Sequence, residues 1–143
     1  MITQFIQKHL RWLVSAAMLV TVAGLCIAPA AFARIASNTI DPQAIVTDNG
    51  RHLILTGPIQ ATAGERVFTR VTVTQRSTGA VAEGSVAFDA TGAVEQWDVH
   101  ATTQGKATFQ PGPATAVGLA RTTSRGATTD AHQWLVNINL VRQ

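Results

Sequence analysis

Apolar positions along the chain fall into two regimes. From Trp12 to Ala33 there is no charged side chain over 22 residues. After residue 43 the apolar residues alternate with polar ones, in short runs divided by Gly, Pro, Asn and Asp clusters. A period of two places successive side chains on opposite faces of a strand. In "RVFTRVTVTQ", Val67, Thr69, Val71 and Val73 share one face, and Phe68, Arg70, Thr72 and Thr74 the other. "VEQWDVHAT" sets Trp97, Val99 and Ala101 against Gln96, Asp98 and His100. "HQWLVNINLV" sets Trp134, Val136, Ile138 and Leu140 against Asn137 and Asn139.

Turn chemistry divides these runs. Asp48-Asn49-Gly50 predicts a hairpin between "AIV" and "HLIL", because Asn and Gly tolerate positive φ. Gly57-Pro58 predicts an edge or a strand break. "RSTG", "ATGA" and "TQGK" read as turns. "AVAEGSVAFD" reads as a weaker strand interrupted by Gly84, and "ATF" as a short strand ahead of a break at "QPGP". "ATAVGLART" is a strand whose large residues, Val117 and Leu119, share a face. "TSRGATTD" reads as an open polar loop.

About eight short strands follow, and no helical period is sustained beyond the N-terminal segment. Parallel pairs need crossovers of a dozen or more residues, for which there is no room. The expected fold is all-β: an antiparallel β-sandwich of immunoglobulin-like architecture. With one cysteine and no tyrosine, the chain has neither the disulfide nor the tyrosine corner of true immunoglobulin domains.

The uncharged segment changes the picture of where the protein works. Lys8, His9 and Arg11 precede it, the layout of a secretory signal. Pro29 ends its helix. Ala31-Phe32-Ala33 then offers small side chains at the positions a signal peptidase reads, which predicts a cut between Ala33 and Arg34. The alternative is an uncleaved N-terminal membrane anchor, since about 20 apolar residues span a bilayer. Either way the remainder is exported, to the periplasm or beyond, with no stable membrane insertion once the signal is cut. Cys26 follows Leu25, where lipid attachment requires a small residue, and reads as one more apolar residue of the signal. The expected organisation is a signal over 1–33, a flexible leader over 34–43 and a sandwich domain over 44–143.

Cleavage also alters composition. Lys8 and Arg11 leave and no acid does, so nine basic side chains face eight acidic ones. A nearly neutral product without a basic cluster excludes a nucleic-acid partner. It also has no thiol, so packing alone must hold it.

Candidate chemistry is sparse. Asp98-Val99-His100 and Asp130-Ala131-His132 each place a carboxylate and an imidazole on one side of a strand. Four such groups suit a divalent metal, but the phases oppose convergence: Asp98 and His100 lie opposite Trp97, whereas His132 shares parity with Trp134. Of the serines after residue 33, Ser37 falls in the leader, Ser77 and Ser124 in turns and Ser85 in the weaker strand, and no nucleophile motif surrounds them. No catalytic residue and no cofactor is expected. The segment 122–130, with Arg121, Arg125 and Asp130 around it, is the candidate contact surface, for sandwiches carry recognition on end loops.

These features point to an exported, non-catalytic binding or surface accessory module whose partner is an unknown protein or surface ligand. One alternative is an inhibitor-like protein engaging a target enzyme through that end loop. Another is a small metal protein or enzyme using the Asp-x-His pairs.

Overall fold

The computed structural model describes residues 34–143; the expected signal, with Cys26, Ala31 and Ala33, lies outside the described residues. The elements are β1 (Ile35–Asn38), β2 (Gln43–Thr47), β3 (His52–Ala61), β4 (Arg66–Gln75), β5 (Ala80–Asp89), β6 (Val94–Gln104), β7 (Gly112–Ser124) and β8 (Ala127–Arg142). The fold is all-β, and the one helical element among the described residues is a single 3₁₀ turn at Asp48–Gly50.

The expected sandwich is corrected to a barrel. Strand order around the sheet is β3-β2-β8-β7-β4-β5-β6, and β6 returns to β3, closing seven strands into a ring. β3 makes the closure. One of its edges pairs with β6, from His52 opposite Thr102 to Gln60 opposite Val94. Its other edge takes β2 at residues 52–54 and β1 at residues 59–61. β1 and β2 thus divide one strand position between them. Closure leaves few free edges for unwanted pairing. The antiparallel expectation holds except at β2–β8, which are parallel from Gln43 opposite Asn139 to Val46 opposite Arg142. No helical crossover is needed, because the chain travels around the barrel between these two strands.

Alternation is obeyed along β3, β4, β6 and β7, with Leu53, Leu55, Ile59, Val67, Val71, Val73, Trp97 and Val99 all buried inside. The Asp48-Asn49-Gly50 hairpin is present, with all three residues at positive φ (47°, 53° and 86°). Ile45 stands opposite Ile54 across it.

Four local expectations are corrected, and a fifth gains a direction. Residues 34–43 carry β1 and the start of β2, with Ile35 and Ile40 buried in the core, rather than a flexible leader. Gly57-Pro58 lies within continuous β3; a side chain at 57 would strike the Trp97 ring and the Thr39 carbonyl, so glycine here permits a close approach. "ATF" forms no strand: it belongs to a loop that seats Phe109, fully buried, across one barrel end. On β7 Val117 and Leu119 share a face as expected, and it is the outer one, while the small residues Ala114, Ala116, Gly118 and Ala120 face inward. Gly118 makes room for Trp134 opposite it, whose ring would lie 2.5 Å from a Cβ there. Finally, "TSRGATTD" is a tight hairpin with Arg125 and Gly126 at φ 51° and 80°, the mirror-type turn that matches strand twist.

Candidate functional site

Three groups of polar or exposed side chains stand out, and the sequence-derived candidates are distributed among them. Arg121, Arg125 and Asp130 do not form one loop surface. Arg125 sits exposed at the tip of the β7–β8 hairpin. Arg121 lies within β7, opposite Phe68 of β4, with its guanidinium carbon 4.9 Å from the phenyl centroid. That geometry is a cation–π contact, and it covers the one aromatic ring that faces outward on β4.

Asp130 has turned toward β1 at the rim of the barrel. Register explains it: Thr122 pairs with Asp130 but Thr123 with Thr128, so Thr129 is an extra residue in a bulge that bends β8. Asp130 Oδ2 accepts the backbone N–H groups of Arg34 and Ile35, both at 3.0 Å. Its Oδ1 accepts the Ala131 N–H at 2.9 Å. The N–H of Ile35 chiefly holds the carboxyl below its ordinary range; burial opposes this, and Ala131, His132 and Arg34 add to it. His132 Nε2 stands 3.6 Å from Oδ2.

The same rim holds a buried acid that alternation alone does not single out. Glu65, just before β4, is 4% exposed. Its Oε1 meets the Arg34 guanidinium at 3.2 Å, and its Oε2 accepts from Thr129 Oγ1 at 2.8 Å. Thr129 in turn lies 2.9 Å from the buried Thr122 hydroxyl. The signal in the sequence is the bulge itself, which depends on a pairing register no local pattern specifies.

The second group lies on the outer face of β3 and β6. Asp98 and His100 do share a face, as expected, with Oδ1 and Nε2 3.0 Å apart. His100 Nδ1 is 3.0 Å from His52 Nε2 of β3. One ring nitrogen of His100 thus faces the Asp98 carboxylate and the other faces a second imidazole. His52 was not a sequence candidate; only the β3–β6 register, with Ile54 opposite His100, brings it there. The structure does not bring the two Asp-x-His pairs together: Asp98 and His100 are on β6, Asp130 and His132 on β8. No group of three or more His, Cys, Asp or Glu among the described residues is arranged to hold a metal.

The third group is apolar. On the outer face of β4, β7 and β8, Val117 stands opposite Leu135, and Leu119 is next outward along β7. Leu135 is 64% exposed and Leu119 38%. Phe68 and Arg121 continue the patch, and Arg70, opposite Leu119, borders it. Arg70 pairs with Glu83 at 2.6 Å, which raises its pKa further through that hydrogen bond and charge.

Open grooves also lie among the described residues. One, of about 530 Å³, is lined by Thr74, Arg76, Pro113, Ala114, Thr115 and Asn137. Another, of about 370 Å³, lies between the Asp48–Gly50 turn and Arg142. Neither gathers a nucleophile, base and orienting group, the minimum for covalent hydrolysis. The sequence matches no family model and no curated protein, so the chemistry of these surfaces rests on their own residues.

Proposed function

We propose that this chain is an exported, non-catalytic binding module that engages a protein partner through the outer face of β4, β7 and β8. One observation carries the reading: β7 turns its large residues outward and its small ones inward. Val117 and Leu119 meet solvent beside Leu135, while Ala114, Ala116, Gly118 and Ala120 take the core positions. Contiguous outward apolar side chains on a strand pair are a hallmark of association surfaces, whereas single exposed ones are ordinary.

The surroundings specify the partner's chemistry. Arg121 and Arg70 flank the patch, and Arg121 has no carboxylate partner among the described residues. An apolar surface bordered by a carboxylate would satisfy both parts, since arginine pairs bidentately with carboxylates. Export to the periplasm or the medium is part of the same reading and rests on the signal-like first 33 residues.

The test is capture from the exported fraction by the wild-type chain, by Leu119→Ser/Leu135→Ser and by Arg125→Ala. A partner held by the wild type and by Arg125→Ala but lost on Leu119→Ser/Leu135→Ser supports this face. Loss on Arg125→Ala alone would instead support the inhibitor-like reading through the hairpin tip. That outcome has a structural basis, because the tight turn holds Arg125 outward at positive φ.

A further inference from the structure

We propose that the barrel rim at Asp130 and Glu65 is a receptor for the chain's own processed end, binding the α-ammonium created at Arg34 when residues 1–33 are cut away. The inference rests on the reading that cleavage falls between Ala33 and Arg34. The cleavage is a hydrolysis: a signal peptidase directs water onto the Ala33 carbonyl and the C–N bond breaks. Ala33 keeps the new carboxylate, and the released Arg34 nitrogen takes up protons to become –NH₃⁺.

Geometry is already suited to that product. The Arg34 nitrogen lies 3.0 Å from Asp130 Oδ2, so converting an amide N–H into an ammonium there requires no chain movement. Three further contacts hold the residue in place. Its guanidinium meets the buried Glu65 carboxylate, its carbonyl accepts the Thr62 N–H at 2.9 Å, and the next N–H, of Ile35, also goes to Asp130. Ile35 itself is buried at 1% exposure, anchoring the segment from inside. The amide N–H already makes a charge-assisted hydrogen bond to this carboxylate. An ammonium adds a full positive charge opposite it and turns the contact into an ion pair.

The site has a structural reason to exist. β1 covers only half of a strand position, and β8 bends at its bulge where it passes the start of β1. The Asp130 carboxylate bridges that seam by accepting the N–H groups of Arg34 and Ile35, work that a neighbouring strand's carbonyls do elsewhere in the sheet. Processing then places a positive charge at the one point of the seam where a carboxylate already waits. Two acids close to one terminus would repel each other without the cations that pair with them; the Arg34 guanidinium answers Glu65, and the new ammonium answers Asp130.

Its charge dependence has a definite sign. The ammonium gains a partner on folding, so its folded pKa rises above the unfolded α-amino value of about 8. The extra stability is therefore full below about pH 8 and is lost as pH rises through the folded value. The charged groups facing it are Asp130 and His132 of β8, Glu65 ahead of β4, and the Arg34 guanidinium. Each is present whether or not the end is free, so a comparison at fixed pH cancels them.

Two measurements test the proposal. The first is intact mass and N-terminal sequencing of the product exported from the full chain; a start at Arg34 is expected, and any other start overturns the proposal together with the cleavage reading. The second compares thermal melting of residues 34–143 with that of residues 33–143, where one alanine turns the amine back into an amide. All described strands and the whole described core lie within this unit. At pH 6.5 the form beginning at Arg34 is expected to melt about 2–4 °C higher. That gap should close at pH 10, and in Asp130→Asn at pH 6.5. Equal melting of the two forms at pH 6.5 would overturn the receptor even if the cut is confirmed. So would a gap that survives pH 10, a comparison that requires no variant to fold.

Discussion

Where β3 begins, the barrel is closed by a fully buried phenyl ring; where β3 finishes, it is closed by an ion pair and a bridging carboxylate. At the first end the loop after β6 folds Phe109 inward, and its N–H donates to the Gly50 carbonyl at 2.8 Å. The buried Gln75 fastens the same loop: its Nε2 donates to the Gln110 carbonyl at 2.8 Å and its Oε1 accepts the Gln110 N–H at 2.9 Å. At the second end Arg34, Glu65, Thr122, Thr129 and Asp130 form a connected polar rim. The difference is instructive. An apolar plug stabilises at any pH through burial, whereas a polar rim stabilises only while its charges and partners are in place.

Substitutions can break that contrast, beginning with the largest effect. Phe109→Ala is expected to cost about 3–5 kcal/mol, a transfer loss plus a cavity at the closed end. Urea unfolding would show this as a lower midpoint at unchanged slope. Gln75→Ala should follow at about 1–3 kcal/mol, because it leaves the Gln110 backbone groups and the Pro113 carbonyl without their partner. At the opposite end Glu65→Ala is expected to cost about 1–2 kcal/mol, since it frees a half-exposed arginine and removes the acceptor of the Thr129 hydroxyl. A double-mutant cycle of Glu65 and Thr129 variants should show coupling, and a cycle of Glu65 and Gln75 should not.

The smallest effect carries the pH signature. The Asp130 carboxyl is held below its ordinary range, chiefly by the Ile35 N–H. A depressed folded pKa contributes stability above the unfolded value of about 3.9 and loses it as pH falls through the lower folded value. Asp130→Asn should therefore be less stable than wild type at pH 7, with the gap narrowing below pH 4. Phe109→Ala should keep a gap that does not follow this titration. Parallel urea midpoints at pH 7 and pH 3 would separate the two ends, and a constant Asp130→Asn gap would remove the carboxylate's part in holding β1.

Much of the strand content is legible locally. β4, β6 and β8 alternate as their sequences predict, and the Asp48-Asn49-Gly50 turn forms because three successive residues tolerate positive φ. On β7 the shared face of Val117 and Leu119 is legible but its direction is not: large residues mark a face, and only neighbours decide whether that face is inside. Trp134 fills the space over Gly118, so the interior beside β7 accepts only small side chains. The candidate sites follow the same division. The shared face of Asp98 and His100 is a local property, while the arrival of His52 and the turning of Asp130 toward Arg34 are not.

By itself, then, the sequence determines that this chain makes strands, where most of them turn and which residues alternate together, because φ preferences and a period of two act over neighbouring residues. Only the tertiary structure decides that the sheet closes on itself, that β2 runs parallel to β8 and that Glu65 and Asp130 meet Arg34 at one rim. Those outcomes depend on register between strands far apart in the chain. Register is selected by how side-chain volumes fill one shared interior, a quantity no short stretch of sequence contains.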